Sequence, residues 1–193
     1  MADTNRQEPR IKPLPQSAWT PAVRQYFVNS EGAGCVNGEP KLNVPLTLAN
    51  HPDLANAFQP FGSHLLLRSS LPKRTYELVT LRTAHLCNSH YEWAKHEPAG
   101  RAAGLSDEQI EGIRQGPDAE VWTDPLDRAL LRVTDQLKRD TDIDDAHWAV
   151  LTASFSTEQI MDLVMTIGMY AMLAMVLNAG RVQLEEGPFF SPA

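Results

Sequence analysis

The sequence predicts an all-α protein, a helical bundle preceded by an extended N-terminal arm. Three observations carry that reading. Apolar residues recur at helical spacing through most of residues 45–187, as in Leu54, Ala57, Phe58, Phe61 and Leu65. Pro, Gly and small polar residues fall where such helices would start and stop. There is no alternating β-branched run long enough for a sheet, no internal repeat and no low-complexity tract.

Residues 1–18 are polar, carry Pro9, Pro13 and Pro15, and read as the extended arm. Trp19–Val28 predicts a short helix with Pro21 near its start. Asn29–Pro40 is rich in Gly, Asn and Glu and reads as a loop containing Cys35. The expected division is therefore an arm and loop over 1–44, a helical domain over 45–187 and a tail over 188–193.

A helix is expected over His51–Ser70. Pro72 restarts the chain, and Lys73–Cys87 carries Leu78, Val79, Leu81, Ala84 and Leu86. A helix apolar around so much of its circumference belongs at the centre. Asn88 and Ser89 interrupt it. Ser89-His90-Tyr91-Glu92 matches the S-x-x-E capping box, so the next helix should begin near residue 90, run to about Ala103 and stop at Gly104. A short helix to about Gln115, a loop over Gly116–Asp124, and helices over Leu126–Arg139, Asp144–Phe155 and Thr157–Ala179 complete the set. In the last helix Met161, Met165, Met169, Met172 and Met175 form one stripe, suited to core or subunit packing, with a pocket lining as the alternative.

With 193 residues the chain suits one domain with a core that needs no staples. Its 17 basic and 24 acidic side chains give a net charge of −7, which argues against nucleic acid as a partner. The opening MADTNRQEPR has no apolar signal core. The longest apolar run, Leu163–Ala174, falls short of the roughly 20 residues a bilayer needs. No membrane partner and a cytoplasmic location are expected. Cys35 and Cys87 make neither a disulfide framework nor a CxxC pair.

The chemistry concentrates in Glu77–His96. Glu92 and His96 are four apart and share a helix face, where a carboxylate can hold an imidazole and fix its tautomer. That makes an acid–base pair, or else a surface pair in which Glu92 serves the capping box. Glu77 lies among Leu78, Val79 and Leu81. A buried carboxyl there suits proton transfer near neutral pH; otherwise Glu77 faces solvent or pairs with Arg74 or Arg82. Cys87, near a helix N-terminus and His90, is a candidate nucleophile or an inert buried thiol. His85, Cys87, His90 and His96 match no standard zinc spacing, so no metal is expected. Without G-x-G-x-x-G, P-loop or G-x-S-x-G, nucleotide binding and an α/β-hydrolase triad lack support.

The stretch Arg74–Ile110, with Glu77, Tyr91-Glu92-Trp93, His96 and Ala102-Ala103-Gly104-Leu105-Ser106, resembles the carboxymuconolactone decarboxylase family, which includes the alkylhydroperoxidase D proteins. Asp124–Asp135 and Phe155–Gly187, with Gly168-Met169-Tyr170 and Leu177-Asn178, are similar too. The resemblance implies an alkylhydroperoxidase D-like helical bundle that assembles into homo-oligomers, whether dimers, trimers or hexamers. In the peroxidase branch a glutamate precedes an essential histidine by 19 residues, and Glu77 and His96 keep that separation. The redox CxxC positions fall on Ser89 and Glu92, so a thiol-pair cycle is lost.

The resemblance then implies a cofactor-free decarboxylase or lyase acting on a small carboxylated, aromatic-derived molecule. His96 would donate a proton, Glu92 orient it and Glu77 hold a second proton. Arg82 would bind a substrate carboxylate, and Tyr91 and Trp93 line the pocket. A thiol-dependent peroxidase using Cys87 and a non-enzymatic oligomeric scaffold are the alternatives.

Overall fold

The computed structural model describes residues 8–185; the first seven residues and the expected tail over 188–193 lie outside them. The described residues form two compact units, 8–69 with 176–185, and Ser70–Met175.

The first unit holds α1 (Pro21–Asn29), the two-residue strands β1 (Cys35–Val36) and β2 (Glu39–Pro40), α2 (Asn43–Leu48) and α3 (Pro52–Arg68). Thr20 caps α1 through its hydroxyl, which accepts from the Val23 amide at 3.3 Å, and Pro21 supplies a first turn that needs no donor. Val23, Tyr26, Phe27, Cys35, Ala49 and Ala55 form its core. The arm is extended but fastened: the Leu14 amide donates to the Leu46 carbonyl at 3.0 Å, and the Arg10 and Ile11 amides to Gly180. The expected loop over Asn29–Pro40 contains a tight antiparallel hairpin, with Val36 opposite Glu39. Asn37 and Gly38 turn it with φ of 53° and 72°, the Asn-Gly pair that suits a reversed turn.

The second unit holds α4 (Lys73–Leu86), α5 (His90–Ala102), α6 (Asp107–Gln115), α7 (Pro125–Asp140), α8 (Asp145–Ser154) and most of α9 (Thr157–Gly180). Every residue of α4 from Thr75 to Ala84 is buried, which makes it the central helix the sequence predicts. Asn88, at φ 51°, ends it: the Ser89 amide reaches back to the Ala84 carbonyl and the Asn88 amide to His85. The same closure at Gly104, φ 96°, ends α5. Gly100 lets α5 approach α4, because a Cβ there would stand 3.0 Å from Leu81 Cδ1.

By length and composition α9 passes as a membrane span, with 24 residues that include an 18-residue stretch of mean hydropathy 2.0, longer than the apolar run suggests. Its Ile160, Leu163, Ile167, Tyr170, Ala174 and Leu177 are nonetheless buried in the fold. The methionine stripe is mostly on the other side. Met169 is buried, whereas Met161, Met165, Met172 and Met175 are exposed.

Candidate active site

Three helix faces in the second unit bring polar side chains together. On α4, Tyr76, Glu77 and Thr80 lie within one turn; on α5, Ser89, Glu92 and His96 follow at three and four residues; on α9, Thr166 precedes Tyr170 by four. Contacts join the faces. Glu77 Oε2 meets His96 Nδ1 at 2.8 Å, the Tyr76 and Tyr170 hydroxyls stand 2.5 Å apart, and the Tyr170 ring packs edge-on against the imidazole with centroids 4.8 Å apart.

Glu77 and His96 form an enclosed pair, with side chains 9% and 13% accessible. Glu77 occupies Nδ1, and His96 Nε2 has no partner among the described residues. Burial pulls the imidazole pKa down, but the Glu77 charge, its hydrogen bond and Glu92 outweigh that, and the net shift is upward. The charged imidazolium is thereby favoured.

Glu92 is different. It is 3% exposed, and neither carboxyl oxygen has a hydrogen-bond partner. Burial pushes its pKa up to about 7, against the pull of Ser89, His96 and Lys138. Ser89 lies close by, but its hydroxyl makes no hydrogen bond of good geometry, and it too is unsatisfied. Thr80 Oγ1 and Thr166 Oγ1 share that condition. Each such group costs about 1–3 kcal/mol, so Glu92 with Ser89 beside it marks a place for water or a polar ligand.

The expected capping box is absent. Ser89 is the N-cap of α5, but its side chain makes no cap bond. Its amide is already taken by the Ala84 carbonyl in the turn that closes α4, so Glu92 has nothing to reach back to. Freed from capping, Glu92 is buried beside His96. The contact expected of Glu92, on the imidazole, is made by Glu77 instead.

Arg82 stands elsewhere. Its Nε and one terminal nitrogen grip both Asp135 oxygens at 2.7 and 2.9 Å, and the other donates to the Ile113 carbonyl at 2.7 Å. That bidentate grip occupies the guanidinium expected to hold a substrate carboxylate. Trp93 donates to Glu97 and stacks under Arg114 at 3.7 Å, with His85 at its edge. Tyr91 lies beneath the Lys95 ammonium, 5.5 Å from its ring centre. The rings found on His96 are Tyr76 and Tyr170, neither of which is among the site residues the sequence predicts. A signal was present, since each heads or ends an i,i+4 pair with a threonine on an apolar helix. Burial raises the Cys87 thiol pKa, with Lys138 opposing, so the lowering expected from the helix end and His90 does not prevail.

Comparison with known proteins agrees with this architecture. Residues 52–136 match the model of the Carboxymuconolactone decarboxylase family. No curated protein matches the chain significantly. Among solved structures, the alkylhydroperoxidase AhpD core of an uncharacterized peroxidase-related protein from Ralstonia eutropha JMP134 is 20% identical, with a TM-score of 0.74 over 93% of this chain and 95% of that one. An uncharacterized peroxidase-related protein from Silicibacter sp. TM1040 is 22% identical, with a TM-score of 0.70 over 93% and 94%. The debrominase Bmp8, in complex with 2,3,4-tribromopyrrole, is 17% identical, with a TM-score of 0.72 over 93% and 94%. At such identities these structures establish the fold, an alkylhydroperoxidase D-like helical one.

Proposed function

We propose, for a chain whose residues 52–136 match the model of the carboxymuconolactone decarboxylase family, a cofactor-free acid–base enzyme of the lyase type. Its substrate would be a small carboxylated lactone or keto acid of aromatic origin. The observation that carries this reading is the enclosed Glu77–His96 pair beside a buried, unpartnered Glu92.

The chemistry follows from those groups. As carbon dioxide leaves, the electron pair of the broken carbon–carbon bond stays on the substrate and spreads onto the neighbouring carbonyl. The carbon then needs a proton. His96 Nε2 delivers it from the imidazolium, which Glu77 holds in place through Nδ1. Glu92, poised near neutrality, returns a proton to the ring, and one proton enters from water for each turnover. The commitment of Arg82 to Asp135 fits this scheme. A carboxylate that departs as neutral carbon dioxide is bound by a guanidinium more strongly before the reaction than during it, so a clamp would slow the step.

The thiol-peroxidase reading loses support from the raised Cys87 pKa, and the scaffold reading from the unsatisfied polar groups around Glu92. Homo-oligomer assembly has an apolar face available in Met161, Met165, Met172 and Met175.

The test is turnover of 4-carboxymuconolactone and related lactone acids, followed by carbon dioxide release. His96→Ala and Glu92→Gln should each lower kcat/KM by about 10²–10⁴-fold, with Cys87→Ser unchanged. Purified protein that leaves the whole set untouched would defeat the proposal.

A further inference from the structure

The Tyr76–Tyr170 pair is not used by the proton transfers above. Both phenols are buried, and their oxygens stand 2.5 Å apart. Two hydroxyls carry two hydrogens, and the bond between them consumes one. The second has no acceptor among the described residues. A buried donor without a protein acceptor, on the ring that packs against His96, is placed to meet an acceptor on a ligand bound there.

We propose that Tyr76 donates to Tyr170 and that Tyr170 donates onward to the substrate carbonyl oxygen, the oxygen that becomes negative when carbon dioxide leaves. This rests on the acid–base reading and adds to it a substrate class. The ligand carries a carbonyl conjugated to the reacting carbon, so that the charge collects on one oxygen. Three points fit. Tyr170 packs edge-on to the imidazole, which places it beside the proton donor. A phenol that accepts one hydrogen bond is a stronger donor of its own, so the pair acts as a short polarised chain. Burial, chiefly, with the neighbouring carboxylates, raises the pKa of both phenols, which keeps each hydroxyl protonated as a donor. Thr80 and Thr166, one turn along the same faces, add hydroxyls for further oxygens of such a ligand.

Substituted phenols bind as phenolates and mimic the enolate, with benzoate as a carboxylate control. Ultraviolet titration of the full chain gives the affinity and, from the red-shifted band, the fraction bound as anion. Wild type is expected to bind phenols better than benzoate and to hold them as anions. Tyr170→Phe, which keeps the ring, should weaken phenol binding by about tenfold or more, the worth of one hydrogen bond to a charged oxygen, and lower the anion fraction. Tyr76→Phe should weaken it by less, since it removes only the polarisation. Unchanged anion fraction and affinity in both folded variants would overturn the proposal and leave the acid–base reading standing. Tyrosine-dependent phenolate binding in a protein that turns over no lactone acid would uphold the donor pair and remove the acid–base reading. Thermal melts of both variants identify any loss that comes from unfolding.

Discussion

The two sides of α4 handle polar groups in opposite ways. On one side Arg74 meets both oxygens of Asp127 at 2.5 and 2.6 Å, and Arg82 meets both oxygens of Asp135 while also donating to the Ile113 carbonyl. On the other, Tyr76, Glu77 and Thr80 face a region where Glu92, Ser89, Thr80 and Thr166 retain unsatisfied atoms. The first side is closed: its charges are matched atom for atom, which is the condition under which an interior tolerates them. The second is open, with donors and acceptors left for water or a bound ligand to complete. One helix thus separates polarity that holds the fold together from polarity held in reserve for chemistry.

The largest effect should come from breaking the closed side. Arg82→Met removes a guanidinium whose side chain is 8% accessible and leaves Asp135 and the Ile113 carbonyl without their partner. Urea denaturation should show a loss of about 3–5 kcal/mol. A loss below about 1 kcal/mol, the range of surface pairs, would mean that the closed side is not a structural element and the contrast fails.

The open side should respond in reverse, and with a pH dependence. Glu92 has a folded pKa of about 7 against an ordinary value of 4.5. A carboxyl raised in this way binds its proton more tightly in the fold. The stability tied to that proton is fully present below pH 4.5 and lost as pH rises through 7. His96, also raised, contributes in the same direction: present below 6.5 and lost above its folded pKa. Wild type should therefore be less stable at pH 8 than at pH 5. Glu92→Gln removes the buried charge and should gain up to about 3 kcal/mol on wild type at pH 8 with little change at pH 5. Urea midpoints at the two pH values measure this. An equal pH dependence in wild type and Glu92→Gln would place the ionising group elsewhere.

The same contrast explains how much the sequence reveals. Helix boundaries follow from local chemistry, such as Pro21, Pro72, Asn88 and Gly104, and the predicted helices end within about two residues of the observed ones. The Asn37-Gly38 pair is a hairpin signal, but strands of two residues give no alternation, and the segment reads only as a loop. Glu77 and His96 stand out together only through the resemblance to the peroxidase branch, whose glutamate and histidine keep the same separation, and they do meet. The division of labour between the two glutamates could not. It depends on the Ser89 amide being occupied by Ala84, a turn closure that cancels the capping box and sends Glu92 inward. Arg82 illustrates the same limit. Its partner Asp135 lies 53 residues away on α7, and no local pattern joins them. Tyr170 reaches the site from α9, 94 residues after Tyr76.

The smallest effect is expected at Cys87, the residue that closes the C-terminal end of α4. Burial raises its thiol pKa, and the opposing Lys138 does not reverse the shift. Nucleophilic attack needs the thiolate, so little reactive form exists near neutrality. Iodoacetamide at pH 7.5 should label Cys87 more slowly than a thiol with an ordinary pKa. Cys35, buried and pushed up to about 12, should label more slowly still. Cys87→Ser should leave the urea midpoint, lactone-acid turnover and peroxide consumption as they are in wild type. Rapid labelling with a midpoint near pH 7, together with peroxide consumption lost in Cys87→Ser, would move the reactive centre from the open face of α4 to its end. The unsatisfied carboxyl of Glu92 would then be a cost of the fold with no chemistry to account for it.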